Sequence, residues 1–255
     1  NIEAFEALAA PHEVEATAVG TFTDSGAFIV NYGDSTVAHL PMDFMHDGCP
    51  QLQLNSEWVP PVHEAPNFPD VNENEMGNLL KRLLARPNVA SKEWWVRQYD
   101  HEVIAQSVIK PFCGVNHDAP GDAAVIAPIH GGTQGAVVSC GIVPRYSDID
   151  AYSMTAASID EAVRNAVCVG VDLDKIAGLD NFCWPDPIES EKTPDGRFKL
   201  AQLVRSNRAL DDVCRAYNLP CISGKDSMKN DAKLDGKKIS IPPTLLYTVL
   251  GNHQD

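Results

Sequence analysis

Residues 122–143 read DAAVIAPIHGGTQGAVVSCGIV, and this stretch decides the fold class. Two apolar runs, 122–129 and 135–143, flank a turn that contains His130, Gly131 and Gly132. Apolar runs separated by a glycine-bearing turn predict a β-hairpin. The region therefore begins with antiparallel strands.

Helical patterns follow this hairpin. Ser158 precedes Glu161 by three residues, which predicts a capping box and a helix that runs to about Val169. A second, amphipathic helix ends at Asn218 and Pro220, and its apolar stripe consists of Leu200, Leu203, Val204, Leu210, Val213, Cys214 and Tyr217. Helices interleaved with hairpins predict an α+β fold.

More strands are predicted further along the chain. Residues 176–179 form an apolar strand pattern, and residues 221–223 predict a strand that enters a glycine turn. Asp235-Gly236 predicts a hairpin, which is followed by a last strand around residues 245–250.

The first third of the chain has a different pattern, with short strand signals followed by a proline-rich segment. Residues 13–20, 27–32 and 36–41 predict a small antiparallel meander. Residues 58–74 contain four prolines and little periodicity, which indicates an extended linker and a domain boundary. Helices are then predicted over residues 75–86 and 91–99.

Composition excludes several classes of protein. The 255 residues include 20 Lys and Arg against 35 Asp and Glu, for a formal net charge of −15, which argues against nucleic-acid binding. No apolar run is long enough for a membrane helix, and no secretory signal opens the chain. Seven cysteines without a C-x-x-C pair predict reduced thiols and a cytoplasmic location. The chain opens at Asn1 inside a predicted helix, so we expect a piece of a longer polypeptide.

Asp122, Glu161 and Asn165 form the first candidate site. Glu161 and Asn165 are four residues apart, so a helix presents both on one face. Two carboxylates and an amide oxygen are hard ligands that suit Mg²⁺. The same residues also admit a purely structural interpretation, with Glu161 in the capping box, Asn165 solvated and Asp122 in a turn.

The second candidate is Ser223-Gly224-Lys225-Asp226-Ser227, a predicted glycine loop with the polar groups that phosphate contact requires. It is not a P-loop, because position 219 is Leu where that motif needs glycine. A lysine-containing turn is the alternative. No nucleophile motif such as G-x-S-x-G or H-E-x-x-H occurs, so no catalytic residue is assigned.

Five segments in a fixed order carry a family resemblance. They are NLLKRLLARPNVASKEWWVRQYD, PGDAAVIAPI, SIDEAVRNAVCVG, IAGLDNFCWPDP and PCISGKDSMKND. Together they closely resemble the central part of the phosphoribosylformylglycinamidine synthase family over roughly residues 75–255. The family converts formylglycinamide ribonucleotide, ATP and glutamine-derived ammonia into formylglycinamidine ribonucleotide, ADP and phosphate.

The resemblance implies a domain organisation. Residues 1–57 would be the tail of a C-terminal domain of the aminoimidazole ribonucleotide synthetase type, and residues 58–100 a linker with helices. The family's enzyme has two similar halves, and residues 101–255 would be the N-terminal domain of the second half, with a mixed sheet packed with helices. The implied partners are the first-half domains and a glutaminase domain or subunit, and a homodimer of the fragment is a further possibility. We expect no turnover from the fragment by itself.

The resemblance also implies site residues. Lys92 would bind ADP or ATP, and Asp122, Glu161 and Asn165 would bind Mg²⁺. Asp180 and Gly224 match nucleotide contacts of the family's small form, and Ser227 matches a contact to the ribonucleotide substrate.

Two positions depart from that small form, which has Asn and Val where this chain has Lys225 and Asp226. An ammonium group cannot bind Mg²⁺, which argues against a metal role for position 225. The string GKDSM is instead like that of the large form, so the choice between small and large form stays open. Two other interpretations remain. One is another enzyme of the superfamily, such as aminoimidazole ribonucleotide synthetase, selenophosphate synthetase or thiamine-phosphate kinase. The other is a non-catalytic half-domain that binds ADP and Mg²⁺ or nothing.

Overall fold

A computed structural model of the chain describes residues 1–98 and 101–254. The chain divides into two compact units, of which the first runs from Asn1 to Gln53 and the second begins at Leu54. The sequence placed boundaries after residues 57 and 100. Residue 100 lies outside the described residues, and the assignment of three parts stays a prediction.

The first unit contains a helix, a hairpin and a second short helix. Its elements are α1 (Ile2–Ala9), β1 (Ala27–Tyr32), β2 (Ser35–Pro41) and α2 (Met42–Asp47), with a 3₁₀ turn at Ala10–His12. The two strands pair antiparallel through a turn at Gly33, whose φ is 57°. The prediction of a third strand over residues 13–20 is wrong. Strand propensity alone does not make a strand, because its backbone groups need a neighbour to pair with.

The second unit contains the remaining elements. Its first part, up to the long hairpin, consists of α3 (Met76–Leu84), α4 (Glu93–Val96), β3 (Ser107–Ile109), β4 (Phe112–Cys113), β5 (Ala119–Pro120), β6 (Ala124–Ile126) and β7 (Gln134–Gly141). Its second part consists of α5 (Ala151–Cys168), β8 (Ile176–Cys183), α6 (Gly196–Ala216), β9 (Cys221–Ser227), β10 (Asp231–Leu234), β11 (Lys237–Ser240) and β12 (Thr244–Gln254). Short 3₁₀ turns lie at Glu73–Glu75, Val103–Ala105, Pro144–Asp148 and Leu173–Lys175.

Most predicted elements of this unit are present. Residues 58–72 form no helix or strand, as a linker should. The predicted helix over 75–86 is α3, and the helix predicted over 91–99 is the shorter α4; residue 99 lies outside the described residues. The hairpin predicted around residues 130–132 is confirmed as β6 and β7. The Asp235-Gly236 hairpin is confirmed as β10 and β11.

A six-stranded mixed sheet organises the second unit. Its strand order is β3-β6-β7-β12-β8-β9, and β12 lies between β7 and β8 and pairs antiparallel with both. The edge pair β8 and β9 is parallel, and α6 is the crossover helix that joins these two strands. This architecture confirms the predicted α+β class with a mixed sheet.

The core lies between the sheet and the helices α5 and α6. Alternate residues of β7 are buried, as expected for a strand with one covered face. Val137 on β7 and Val249 on β12 are fully buried, as are Met154 and Ile159 on α5. Two hydroxyls, Thr155 and Ser206, are hydrogen-bonded to each other inside the α5–α6 contact, which satisfies both in the dry interior.

Two local predictions are wrong. The capping box at Ser158 does not exist, because α5 begins at Ala151 and its cap is Asp150, whose side chain accepts a hydrogen bond from the Tyr152 backbone N–H. The predicted glycine turn after Ser223 is instead the continuous strand β9, which runs through Gly224 to Ser227. Pairing with β8 supplies backbone hydrogen bonds that outweigh the local turn signal.

Trp58 fixes the linker to the helices of the second unit. Its ring stacks on Phe198 of α6 with a centroid distance of 5.3 Å and an interplanar angle of 8°. The Arg205 guanidinium also lies over the Trp58 ring, 4.3 Å from its centroid. Arg205 also donates two hydrogen bonds to the Asp150 carboxylate, at 2.9 and 3.0 Å. One aromatic ring thus connects the linker to the residue that caps α5.

Replacing Trp58 by alanine is expected to destabilise the second unit by about 2 kcal/mol, because the stacking and the cation–π contact are both lost. Urea unfolding followed by far-ultraviolet circular dichroism measures the change. Trp94→Ala is the matched control: Trp94 is 66% exposed, and its loss should cost less than about 0.5 kcal/mol. Equal unfolding midpoints for Trp58→Ala and the unaltered chain would contradict the anchoring role.

Candidate functional site

Two polar side chains of α5 contact the end of strand β7. The Glu161 carboxylate oxygen Oε2 accepts a hydrogen bond from the Ile142 backbone N–H at 2.7 Å. The Asn165 amide Nδ2 donates to the Cys140 carbonyl oxygen at 3.0 Å. The two side chains therefore contact the residues on either side of Gly141. Their shared helix face is the one that the four-residue spacing predicted.

Gly141 allows this close approach between strand and helix. A Cβ at position 141 would overlap the Ser158 carbonyl oxygen and lie 2.7 Å from the Ala162 backbone nitrogen. Any side chain there would push α5 away from β7. The glycine therefore determines how near Glu161 and Asn165 come to the strand.

Asp122 lies just before β6, the strand that pairs with β7. It is exposed and precedes β6 by two residues, in a bend that follows β5. Strands β6 and β7 pair antiparallel with Ala124 opposite Val138. Asp122 precedes this pair by two residues, so it lies toward the Cys140 end of β7 but outside the ladder. Asp122 has no hydrogen bond or ion pair with any residue of the described ranges.

The three residues carry oxygen ligands of the hard kind, and no contact within the described residues joins Asp122 to Glu161 or Asn165. Glu161 uses Oε2 to bind the backbone and Asn165 uses only its NH₂ group, so each keeps one oxygen that binds nothing in residues 1–98 and 101–254. The part of the chain that the structure describes contains no cluster of three or more His, Cys, Asp or Glu residues suited to a metal ion. An ion at this place would rest on two carboxylates and one amide, which is the kind of set that Mg²⁺ accepts when water and phosphate complete its shell.

Lys92 contacts only its own segment of the chain and none of these three residues within the described ranges. Its ammonium group donates to the carbonyl oxygens of Pro87, at 2.9 Å, and Ala90. Both acceptors belong to the same segment between α3 and α4. The structure thus places Lys92 on an exposed turn of its own and shows no contact between it and Asp122, Glu161 or Asn165 within the described residues.

Asp180 and Gly224 are neighbours on the parallel strands β8 and β9. A Cβ at position 224 would lie 2.9 Å from both carboxylate oxygens of Asp180, so glycine leaves room for that carboxylate. Burial raises the pKa of Asp180, and the negative charge of Asp226 raises it further. A half-buried carboxylate with an elevated pKa is a feature of functional sites, since burial of a charge costs stability.

A row of paired residues across the sheet connects Gly141, beside Glu161 and Asn165, with the Asp180–Gly224 pair. Gly141 pairs with Tyr247 of β12, Tyr247 pairs with Asp180, and Asp180 pairs with Gly224. Because paired residues of adjacent strands lie on the same face, the row puts Asp180 and Gly224 on the face that packs against the helices. Two strand spacings, roughly 10 Å, separate the backbone of Gly141 from that of Asp180.

Ser227 lies on the other face. It pairs with Cys183, three residues beyond Asp180, and side chains alternate along a strand. The Ser227 hydroxyl accepts a hydrogen bond from the Lys225 ammonium group, and its carbonyl accepts from the Trp184 backbone N–H at 2.8 Å. The structure therefore separates Ser227 from the Asp180–Gly224 pair.

Sequence reasoning missed Asn181. This residue follows Asp180 on β8 and pairs with Lys225, so it shares the face of Lys225 and Ser227. Its amide oxygen is buried and has no hydrogen-bond partner in the described residues. A polar residue inside an otherwise apolar strand was the available signal, because buried polar atoms normally find a partner.

The described residues include no helix with the length and apolar character that crossing a membrane requires. All seven cysteines are free thiols.

Known proteins match both the sequence and the fold. Residues 120–252 match the family model described as AIR synthase related protein, N-terminal domain. The chain is 33% identical over 243 residues to phosphoribosylformylglycinamidine synthase subunit PurL of Ignicoccus hospitalis, which covers 94% of this chain and 31% of the relative. The corresponding subunit of Methanopyrus kandleri is 32% identical over 242 residues, covering 93% of this chain and 30% of the relative. The chain thus spans about a third of the length of these relatives.

Solved structures share the fold. The structure of Thermotoga maritima PurL complexed with ADP has a TM-score of 0.59 at 21% identity, covering 90% of this chain and 32% of that one. PurLQS from Thermotoga maritima has a TM-score of 0.57 at 23% identity, covering 91% of this chain and 32% of that one. The predicted aminoimidazole ribonucleotide synthetase-like fold is confirmed.

The resemblance drawn from the five ordered segments is confirmed as well, because similarity to the synthase subunit extends over more than nine tenths of the chain. With its family match covering the hairpin, both long helices and most of the central strand β12, the chain belongs to the AIR synthase related protein family.

Proposed function

We propose that this chain is part of a phosphoribosylformylglycinamidine synthase and contributes a Mg²⁺–nucleotide site to it. The observation that carries the proposal is the arrangement of Glu161 and Asn165 around Gly141 at the end of β7, each with one oxygen left for a ligand. The similarity to synthase subunits supports the same assignment. The reaction would be ATP-dependent formation of formylglycinamidine ribonucleotide with glutamine-derived ammonia.

The roles of the remaining residues follow from their positions. Asp122, Glu161 and Asn165 would hold Mg²⁺, which supplies positive charge for the nucleotide phosphates when bound. Asp180, whose carboxylate occupies the room left by Gly224, would accept hydrogen bonds from the nucleotide. Lys92 would reach the phosphates only after releasing the carbonyls of Pro87 and Ala90.

Ser227 and Lys225 would contact the ribonucleotide substrate. They lie on the sheet face opposite to Asp180, where Asn181 presents an amide oxygen without a partner in the described residues. A lysine ammonium and a hydroxyl suit the phosphate of a ribonucleotide. The proposed partners, the first-half domains and a glutaminase domain or subunit, would supply the catalytic groups and ammonia. We propose the cytoplasm as the compartment, where free thiols persist.

A non-catalytic role is the second candidate. The structure favours it at one point, because the contacts of Glu161 and Asn165 with β7 also serve the fold by satisfying backbone groups. In that case the unit would bind ADP and Mg²⁺ permanently, or nothing, and would position the other half of the enzyme.

Isothermal titration calorimetry with Mg-ADP tests whether the proposed site binds metal and nucleotide. We expect saturable binding, weakened at least tenfold by Glu161→Gln, because glutamine keeps the hydrogen bond from Ile142 but removes the charge. Asp122→Asn should weaken binding similarly. Asp118→Asn is the matched control, an exposed carboxylate on the same segment. A chain that binds no Mg-ADP, or variants that bind as the unaltered chain does, would overturn the metal assignment.

Asp180→Asn is expected to stabilise the chain at pH 7 while it weakens nucleotide binding. The folded-state pKa of Asp180 is raised, so its ionised form opposes folding at neutral pH, and that penalty disappears as the pH falls through the raised pKa. The variant should therefore melt at a higher temperature than the unaltered chain at pH 7, and the difference should shrink toward pH 4.

Thermal melts at the two pH values, followed by circular dichroism, measure this difference. Asp235→Asn, a change at an exposed hairpin turn, is the control and should show no pH-dependent difference. Earlier melting of Asp180→Asn at pH 7 would mean that the carboxylate serves the fold instead of a ligand.

A further inference from the structure

We propose that Cys214 and Cys221 form a modification site at which a peroxide converts two free thiols into a reversible disulfide. This inference is independent of the proposed nucleotide site. It concerns the junction between the end of α6 and the start of β9, for which the sequence predicted only reduced thiols.

The two sulfur atoms are in contact. Cys214 lies near the C-terminal end of α6 and Cys221 is the first residue of β9, and their Sγ atoms are 3.8 Å apart. A disulfide bond is about 2.0 Å long, so the sulfurs would need to approach by about 2 Å. Within the described residues, no other pair of cysteines lies within hydrogen-bonding distance.

The backbone around the pair is held in place. The Leu219 N–H donates to the Cys214 carbonyl at 2.8 Å, and the Gly178 N–H donates to the Pro220 carbonyl at 2.8 Å. The first bond closes the turn after α6, and the second fixes the residue before Cys221 against strand β8. The thiols therefore stay close together while the protein is folded.

Tyr247 completes the cluster. Its hydroxyl lies 3.2 Å from the Cys214 sulfur and 3.4 Å from the Cys221 sulfur. The ring is fully buried, and burial raises the pKa of Tyr247, so this hydroxyl stays protonated. It is a neutral polar neighbour of both sulfurs and does not stand between them.

The two thiols differ in access. Cys221 is exposed and Cys214 is buried. Burial raises the pKa of the Cys214 thiol to about 11, so at neutral pH this group is protonated. A surface groove of about 590 Å³ is lined by both cysteines, which gives a small oxidant a path to Cys221. Cys221 is thus the thiol that meets the oxidant, and Cys214 is the thiol that resolves the product.

The chemistry balances with hydrogen peroxide as the oxidant. The Cys221 thiolate attacks one peroxide oxygen, the O–O bond breaks, and the released hydroxide takes a proton to become water, which leaves a sulfenic acid. The Cys214 sulfur then attacks the Cys221 sulfur, and the S–O bond breaks. The departing hydroxide and the Cys214 proton form a second water. Two thiols and one peroxide yield one disulfide and two waters.

Tryptic mapping after oxidation tests the proposal, because Arg215 separates the two cysteines. Trypsin releases Cys214 in the peptide ALDDVCR, residues 209–215, and Cys221 in the peptide AYNLPCISGK, residues 216–225. The folded chain is treated with hydrogen peroxide, free thiols are alkylated, and the digest is analysed by mass spectrometry. We expect the two peptides to become linked in most molecules and to separate again after dithiothreitol.

Variants and alternative products make the result decisive. Cys140→Ser is the control, since the Cys140 sulfur contacts the Thr248 hydroxyl at 3.7 Å and no thiol of the described residues, and it should form the same linked pair. Cys221→Ser should abolish the pair, and its exposed position makes this change safe for folding. Sulfinic acid at Cys221 without the link, or a link from Cys221 to a different cysteine, would overturn the proposal. The linked peptides are detected in the unaltered chain, so the test needs no substitution of the buried Cys214.

Discussion

The position of Tyr247 in the middle of the sheet is the constraint on which the rest of the second unit depends. Its strand, β12, pairs with β7 on one side and β8 on the other, so every element of the core is placed relative to it. The Tyr247 ring is fully buried, and its hydroxyl therefore needs polar neighbours, which the two cysteine sulfurs provide. Neighbouring strands must leave space for this ring.

Gly178 makes that space, and Gly141 and Gly224 make room for other groups in the same way. A Cβ at Gly178 would overlap the Tyr247 hydroxyl, a Cβ at Gly141 would overlap the backbone of α5, and a Cβ at Gly224 would crowd the Asp180 carboxylate. Each glycine thus lies where another group comes close to the sheet. Two of them belong to the row that includes Tyr247 and Asp180, so the packing that makes the core also brings the candidate polar groups onto one line.

Local patterns in the sequence predicted part of this arrangement. The hairpin of β6 and β7 and the long helix α6 depend on short-range periodicity, and both were foreseen. Helical spacing also placed Glu161 and Asn165 on one face, even though the cap assigned to Ser158 was wrong. The start of strand β9 was predicted, but its continuation from Gly224 to Ser227 was not, because glycine and charged residues are typical of loops and only pairing with β8 makes that segment extended. The neighbours Asp180 and Gly224 are more than forty residues apart, and their contact depends on strand register that no local signal specifies.

Glu161 and Asn165 show why a structural role and a ligand role need not exclude each other. The Ile142 N–H and the Cys140 carbonyl lie at the end of a strand that β6 no longer pairs with, and each needs a partner. One atom of Glu161 and one of Asn165 meet that need, which holds both side chains in fixed rotamers at no further entropic cost. Their remaining oxygens are thereby held at a defined place, as the proposed Mg²⁺ site requires. A site arranged in this way loses little conformational freedom on binding, and this preorganisation is a condition for tight coordination.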